Sequence, residues 1–324
     1  MSLHKTNEST VSLANGVTVP AMGFGCAFGD WVGKSNFQGF LPEQAWQAFP
    51  PAIKAGYRHF DGAHCYGTER HLGDCIGAAM ARGELDRESV FLSTKLAHPA
   101  APQHVAVSHR LTWDWDKVPD IATRVRDDFD ASKEKVGVGY FDLVMLHWPG
   151  PFGNAELDFA QKARATIWET FETLYRNGQA RAIGVSNFTK RHLLELKDTC
   201  EIQPMVNQIE LHPYCFDPDL IEFCHANDIV VEAYAPLASG AFGLLQDPVL
   251  VEIAEHTGCS VGQVILRWLI QHGCVVLTKS TNPQRIAQNR EVFDFELSVS
   301  TMRQIDGLAP KEAKRTTLDP ETIV

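Results

Sequence analysis

Short apolar segments alternate along the chain with longer segments in which apolar residues recur at helical spacing. The spacing in 163–177 predicts an amphipathic helix, and Gly178 is typical of the residue that ends one. Asp217-Pro218 and Thr189 are typical of helix starts. The short apolar segments predict eight strands, at 22–25, 57–61, 90–95, 141–147, 181–186, 204–209, 229–235 and 274–278.

Eight strands that alternate with helices predict a parallel α/β sheet, and eight is the number that closes a (β/α)8 TIM barrel. The length suits one such barrel, so we expect a single domain over 1–324. An open doubly wound sheet is the competing fold, but the early glycine cluster Gly23-Phe24-Gly25 lacks the third glycine of a dinucleotide-binding turn. Asn15-Gly16 predicts a preceding β-hairpin with a two-residue turn, which we expect to close the bottom of the barrel.

Two long segments, residues 26–40 and 97–118, interrupt the alternation of strands and helices. Both follow predicted strands, so in a barrel both lie on the carboxyl-terminal face, where the active sites of this architecture are found. Loops of this length in a compact domain commonly serve function. We therefore expect both segments to border the catalytic site.

The composition is that of an ordinary globular protein, with 44% apolar and 21% charged residues. The net charge of −11 disfavours binding to nucleic acid but leaves room for a small anionic ligand at a local basic cluster. Eight scattered cysteines without a CxxC spacing indicate reduced thiols. The short apolar runs and the absence of a signal-like start predict a cytoplasmic protein that does not contact a membrane.

Polar side chains stand at or just past the predicted strand ends. Asp61 ends the second strand with Tyr66 five residues later, Lys95 ends the third strand and His147 ends the fourth. Since neighbouring strand ends of a barrel share one cavity, we expect these four groups to meet. A lysine ammonium would lower the tyrosine pKa, the aspartate would balance that charge, and the histidine would orient a carbonyl oxygen. These four residues predict a site that donates a proton and stabilises an oxyanion, and that contains no nucleophile.

A metal-dependent barrel hydrolase is one alternative, because His59, Asp61 and His64 cluster after the second strand. It is disfavoured because metal-binding barrels take ligands from several strands, whereas the third and fifth strands end here in Lys and Ser-Asn, so we expect no metal. A second alternative is a non-catalytic protein that binds or senses a nucleotide on the same fold.

The segments around these residues, taken together, resemble the aldo-keto reductase family. GYRHFDGAHCYGTERHLG (56–73) is similar to the family's Asp-x4-Tyr segment, and VFLSTKL, YFDLVMLHWP, IGVSNF, VNQIELHPY, VEAYAPL and LTKSTNPQRIAQN follow in the family's order. The resemblance spans about residues 10–309. It implies an enzyme that uses NADPH to reduce a small aldehyde or ketone. We expect a monomer, and the net charge predicts that it binds no nucleic acid.

The resemblance also assigns roles to residues. It implies that Tyr66 is the proton donor and that Lys95 and Asp61 adjust the pKa of Tyr66. His147 would orient the carbonyl group of the substrate. The cofactor-binding positions it implies are Gly25, Ser186, Asn187, Gln208, Tyr234, Leu237, Ser239, Lys279, Ser280, Arg285, Gln288 and Asn289. For the substrate pocket we expect Trp31, Trp148 and Phe152.

Within the cofactor set, each group has an expected contact. Ser186, Asn187 and Gln208 would bind the nicotinamide carboxamide, and Tyr234 would stack on the nicotinamide ring. Lys279 and Arg285 would converge on the adenosine 2′-phosphate, with Ser280 as a further donor. Because NADP(H) carries that phosphate and NAD(H) lacks it, we expect NADPH/NADP+ as the cofactor.

Overall fold

The computed structural model describes residues 10–31, 37–100, 112–118, 120–151 and 156–324. Its strands are β1 (Thr10–Ser12), β2 (Thr18–Pro20), β3 (Met22–Gly25), β4 (Gly29–Trp31), β5 (Phe37–Phe40), β6 (His59–Asp61), β7 (Phe91–Leu96), β8 (His98–Ala100), β9 (Thr112–Asp114), β10 (Leu143–Leu146), β11 (Ile183–Ser186), β12 (Val206–Glu210), β13 (Val230–Tyr234) and β14 (Val275–Thr278). Its α-helices are α1 (Ala45–Lys54), α2 (Glu69–Ala81), α3 (Ile121–Val136), α4 (Leu157–Arg176), α5 (Lys190–Thr199), α6 (Pro218–Ala226), α7 (Pro248–Thr257), α8 (Val261–Gln271), α9 (Pro283–Gln288) and α10 (Val299–Asp306).

Eight parallel strands close into a barrel in the order β3, β6, β7, β10, β11, β12, β13 and β14, and β14 pairs back with β3. The spatial order of the strands is their chain order, because helices connect successive strands and return the chain to the same end of the sheet. These strands are the eight apolar segments predicted above, so the TIM barrel is confirmed and the open sheet is excluded.

The hairpin β1–β2 closes the amino-terminal end of the barrel. Leu13 and Val19 are buried against Phe91, Leu143 and Val275, which are the first residues of their barrel strands. A plug of apolar side chains removes this end of the barrel interior from water, which stabilises the closed sheet. The hairpin and its expected position are therefore confirmed.

The turn of this hairpin differs from the predicted one. The Leu13 N–H donates to the Val17 carbonyl oxygen at 2.8 Å, and the Gly16 N–H donates to the Leu13 carbonyl oxygen at 2.8 Å, so the turn holds three residues, Ala14–Gly16. Gly16 has φ 83°, the left-handed conformation that a three-residue hairpin turn requires at its last position. The prediction of a two-residue turn was wrong, because Asn-Gly is compatible with the last two positions of a three-residue turn as well as with a two-residue turn.

The helix signals in the sequence are confirmed. The segment 163–177 lies almost wholly in α4, and Gly178 follows that helix with φ 68°. The Asp217 carboxylate accepts a hydrogen bond from the Leu220 N–H at 3.0 Å, and Pro218 is the first residue of α6. In the part of the chain that is described, no single helix is long and apolar enough to cross a membrane, and only α7 and α8 together, which meet at 90°, pass that test of length and composition.

The two long segments each contain a pair of short strands. In 26–40, β4 and β5 pair in antiparallel fashion, and in 97–118, β8 and β9 pair in parallel fashion. Trp113 of β9 is 4% exposed, and the guanidinium carbon of Arg124 lies 5.8 Å from its ring centroid. This tryptophan therefore attaches the second segment to the barrel helices.

A buried carboxylate joins strands at the foot of the barrel. Asp142 is fully buried, accepts hydrogen bonds from the Leu92 N–H at 2.9 Å and from Arg181 at 2.7 Å, and forms an ion pair with Arg87 at 2.8 Å. These partners belong to β7 and to the segments that lead into β7 and β11. The carboxylate therefore ties three neighbouring parts of the barrel together.

We expect Asp142→Ala to lower the free energy of unfolding by about 3 kcal/mol, since it leaves buried donors without their acceptor. Urea titration followed by circular dichroism measures this. The control is Glu84→Ala, which removes an ion pair to Arg82 on the surface and should leave the unfolding midpoint where it is. Equal midpoints for the two variants would contradict the structural role of Asp142.

Candidate active site

The centre of the candidate site is an ion pair between Asp61, the last residue of β6, and Lys95 of β7. Lys95 Nζ lies 2.7 and 2.6 Å from the two Asp61 carboxylate oxygens and 2.9 Å from the Gly62 carbonyl oxygen. Lys95 is 1% exposed and Asp61 is 4% exposed. The Ser93 hydroxyl donates to the same carboxylate at 2.8 Å. Ser93 and Lys95 are two residues apart on one strand, so both side chains face the barrel interior.

Tyr66 and His147 lie beside this ion pair. The Tyr66 hydroxyl is 3.5 Å from His147 Nε2, and Lys95 Nζ is 5.2 Å from the centroid of the tyrosine ring. His147 follows β10, which pairs with β7 so that Met145 stands opposite Lys95. The structure thus brings the four residues together in one place, as the strand-end argument predicted.

The pKa of Tyr66 is raised well above its ordinary value, first by burial and second by the charge of Asp61. The expectation that Lys95 lowers this pKa was therefore wrong for the protein without ligands. All three ammonium hydrogens of Lys95 are directed to Asp61 and Gly62, so none of them is left to donate to the phenol oxygen. The phenol consequently keeps its proton at neutral pH.

His147 is neutral, because burial and then the charge of Lys95 lower its pKa well below the ordinary value. A neutral imidazole has one N–H and one acceptor nitrogen. Cys65 Sγ lies 3.6 Å from Nδ1, on the opposite side of the ring from Tyr66. Sequence reasoning missed this contact, because nothing in the residue order shows which neighbour of Tyr66 faces His147.

Three predicted cofactor residues are linked to one another at the ends of β11 and β13. The Asn187 side-chain amide donates to the His147 carbonyl oxygen at 2.9 Å and to Ser186 Oγ at 3.1 Å, and its oxygen accepts from the Tyr234 hydroxyl at 2.7 Å. Asn187 has φ 63°, a left-handed conformation that asparagine tolerates better than most residues. The half-buried Tyr234 ring is therefore fixed through its hydroxyl.

The segment after α10 also reaches this ring. Thr317 Oγ1 lies 2.9 Å from the Tyr234 hydroxyl and donates to the Glu210 carboxylate at 2.7 Å. The backbone N–H and the hydroxyl of Thr316 donate to the same carboxylate at 2.6 and 2.7 Å. Sequence reasoning missed these residues because the threonines are more than a hundred positions from Glu210.

Gln208 and the residues after β14 make up much of the remaining cofactor set. Gln208 is 2% exposed in β12, and its amide donates to Asp61 Oδ1 at 3.0 Å.

Lys279 and Ser280 directly follow β14, and Ser280 Oγ accepts from the Asn282 N–H at 3.0 Å. The pKa of the Lys279 ammonium is lowered, first because the protein displaces part of its water and then by the charge of Arg285. The charge of Arg285, on α9, therefore acts on Lys279.

The other predicted residues are spread around the same face. Gly25 ends β3 and pairs with Asp61 of β6. Leu237 and Ser239 lie in the loop after β13, where Ser239 is exposed and has φ 51°. Arg285 and Gln288 are in α9, and Asn289 follows it.

Of the expected pocket residues, Trp148 directly follows His147 and is 5% exposed. Trp31 is the last residue of β4, but its side chain is not described, and Phe152 lies outside the described residues. The pocket prediction therefore has a described side chain only at Trp148.

The histidine and aspartate residues of the disfavoured metal-site alternative are directed to different partners. His64 Nδ1 lies 2.9 Å from Ser132 Oγ of α3, and its Nε2 lies 3.8 Å from Asp128 of the same helix. His64 is thus directed to α3, whereas Asp61 is bound by Lys95. Over the described ranges, no group of three or more His, Cys, Asp or Glu side chains is placed to hold a metal ion.

The closed barrel and the buried polar residues at the carboxyl-terminal ends of its strands are typical of a (β/α)8 barrel enzyme. The model of the Aldo/keto reductase family matches residues 21–310, so the chain belongs to this family of oxidoreductases, and the resemblance seen in the sequence is confirmed.

Relatives and solved structures agree with this. A 9,11-endoperoxide prostaglandin H2 reductase of Trypanosoma cruzi is 37% identical over 316 residues, 97% of this chain and 96% of that protein. A glyoxal reductase of Bacillus subtilis is 36% identical over 305 residues, 94% of each protein. The crystal structure of a Bombyx mori aldo-keto reductase in complex with NADP matches with a TM-score of 0.79 and 28% identity, covering 98% of this chain and 97% of that one.

We expect Tyr66→Phe to leave the phenolate absorbance of the free protein unchanged between about pH 8 and 10, since the raised pKa of Tyr66 keeps this phenol protonated there. Ultraviolet difference titration of the two proteins measures this. Loss of one tyrosine's absorbance change from the variant below about pH 10 would show that Lys95 acidifies the phenol in the absence of ligands.

Proposed function

We propose that this chain reduces the carbonyl group of a small aldehyde or ketone with NADPH, and that Tyr66 supplies the proton. The observation that carries the proposal is the convergence of the Tyr66 hydroxyl and His147 Nε2, 3.5 Å apart, beside the buried Lys95–Asp61 pair. A phenol hydroxyl and an imidazole N–H so close together can both donate to one carbonyl oxygen as it becomes negative.

The side chains of the site suit NADPH. Both N–H groups of the Gln208 amide are directed to Asp61 and Glu232, which leaves its carbonyl oxygen to accept a bond from a carboxamide. The charges of Lys279 and Arg285, which act on each other, favour the binding of an anionic group such as the 2′-phosphate. The Tyr234 ring, held by Asn187 and Thr317, offers a rigid surface on which an aromatic ring can stack.

NADPH, when bound, supplies a hydride from its nicotinamide ring. His147 and Tyr66 then hold the substrate oxygen by hydrogen bonds and stabilise its developing charge. Tyr66 transfers its proton to that oxygen, because an alkoxide is a much stronger base than a phenolate. The positive charge of Lys95, 5.2 Å from the tyrosine ring, stabilises the phenolate that remains, and Asp61 keeps that charge in place.

The remaining assignments follow from position. We propose that Ser186, Asn187 and Gln208 contact the nicotinamide carboxamide. Leu237 and Ser239 lie along the pyrophosphate in this proposal, Gln288 and Asn289 contact the adenine, and Gly25 and Ser280 border the cofactor. Trp148, buried beside His147, contributes an apolar wall to the substrate pocket.

We expect Tyr66→Phe to lower kcat for aldehyde reduction by about 10³-fold, because the proton donor is lost. The dissociation constant of NADPH, measured by quenching of protein fluorescence, should stay within about twofold, since Tyr66 contacts the substrate side in this proposal. The activity is measured as the rate of NADPH oxidation with a panel of carbonyl compounds: small aldehydes, aldoses, quinones and bulky ketones.

Tyr140→Phe is the matched control, because Tyr140 lies at the foot of the barrel beneath Arg87. Wild-type turnover in Tyr66→Phe would show that another group donates the proton. Binding of NADPH without turnover of any substrate in the panel would favour a binding or sensing protein instead.

We expect Arg285→Ala to weaken NADPH binding by about 30-fold and NADH binding by less than twofold, because a charge-assisted hydrogen bond to the 2′-phosphate is lost. Titration of both cofactors by fluorescence measures this, with the exposed Arg303→Ala as the control. Equal weakening of the two cofactors would contradict a contact between Arg285 and the 2′-phosphate.

A further inference from the structure

The Gln208 amide connects the catalytic ion pair to a second carboxyl group inside the barrel. Gln208 Nε2 donates to Asp61 Oδ1 at 3.0 Å and to Glu232 Oε2 at 2.9 Å. Gln208 and Glu232 are directly opposite each other on the paired strands β12 and β13. A primary amide has two N–H groups, so these two acceptors use both and determine which way the amide is turned.

Glu232 has an environment that opposes a negative charge. Its side chain is fully buried, and its Oε1 is 3.9 Å from the equally buried His59 Nε2 of β6. Around it stand Asp61 and His59 from β6, Lys95 from β7 and Gln208 from β12, and the neighbour on β14 is the apolar Val275. Lys95 is bound to both carboxylate oxygens of Asp61, so its charge favours ionised Glu232 less than burial and the charge of Asp61 oppose it.

The protonation states of this cluster follow from burial and charge. Burial, and then the charge of Asp61, raise the pKa of Glu232 to about 8. Burial lowers the pKa of His59 to about 4, although the charges of Asp61 and Asp142 favour its cation. At neutral pH the barrel interior therefore holds one ion pair, a neutral carboxylic acid and a neutral imidazole.

We propose that Glu232 is a positioning residue for the reductase site: in its neutral form it holds the Gln208 amide with the carbonyl oxygen free for the cofactor, and it keeps the surroundings of the Asp61–Lys95 pair free of a second negative charge. The expected effect of Glu232 on the rate of hydride transfer rests on the proposed reductase function. The proton on Glu232 and the orientation of Gln208 are properties of the protein itself.

Ionisation of Glu232 changes the reaction in a definite direction. A second carboxylate near Asp61 neutralises more of the Lys95 charge and repels the negative charge that develops on the substrate oxygen and on Tyr66. Hydride transfer therefore slows as pH rises through the pKa of Glu232. The two other members of the catalytic group with shifted pKa values do not account for a fall in this range, since the pKa of His147 is well below its ordinary value and that of Tyr66 well above it.

The first test is the single-turnover rate of hydride transfer from preformed enzyme–NADPH complex, measured by stopped flow between about pH 6 and 9.5. The wild-type rate should fall by about tenfold with a midpoint near pH 8, as expected for one added charge in a buried site. Glu232→Gln keeps the shape and loses the charge, so its rate, normalised to its own value at low pH, should stay level across this range.

Two further variants separate position from charge. Glu232→Met should also abolish the pH dependence and, in addition, weaken NADPH binding about fivefold, because Gln208 loses one hydrogen-bond acceptor. Glu172→Gln changes another buried glutamate, one that accepts from the backbone of Glu201 and Ile202 far from the site, and should retain the wild-type profile.

A readout that does not depend on activity is difference infrared spectroscopy of the free protein. Between neutral pH and about pH 9.5 the wild type should lose one carboxylic-acid C=O band, and Glu232→Gln should lack this change. The same band loss in Glu232→Gln, or identical rate profiles for that variant and wild type, would overturn the proposal. If wild type loses the band but reduces no carbonyl compound, the reductase function is refuted, whereas the protonation of Glu232 at neutral pH is still supported.

Discussion

The buried ion pair between Lys95 and Asp61 is the interaction on which the site depends. A single buried charge is strongly disfavoured, whereas a pair in good geometry with its remaining hydrogen bonds satisfied is tolerated. Here both carboxylate oxygens contact Nζ, and Ser93, Gln208 and Gly62 complete the set. Its neighbours Tyr66, His147 and Glu232 stay uncharged mainly because they are buried, and the charge of Lys95 is available when a phenolate forms beside it.

The barrel explains why these groups meet. Parallel strands present their carboxyl ends at one rim, so side chains from β6, β7, β10, β12 and β13 converge although they are far apart in sequence. The rim is also where the Asn187 amide and the Thr317 hydroxyl fix Tyr234. The opposite end is closed by the hairpin and joined by Asp142, which makes it the structural end of the molecule.

The differences between expectation and structure have physical reasons. The pKa of Tyr66 depends first on its burial and second on the charge of Asp61, and residue order shows neither. His64 is directed to Ser132 because the short turn after β6 points it at α3 instead of into the barrel. Glu232 was predicted only as part of a strand, although its spacing of two from Tyr234 already places both side chains on one face.

Sequence alone determined the eight strands, the hairpin, the helix ends and the four residues at the strand ends, because periodicity and capping are local properties that the chain carries in its residue order. The tertiary structure decided the protonation of Tyr66, His147 and Glu232, the sharing of Gln208 between two carboxyl groups, and the contact of Thr317 with Tyr234. These depend on burial and on distances between residues remote in sequence, and both exist only once the barrel has closed.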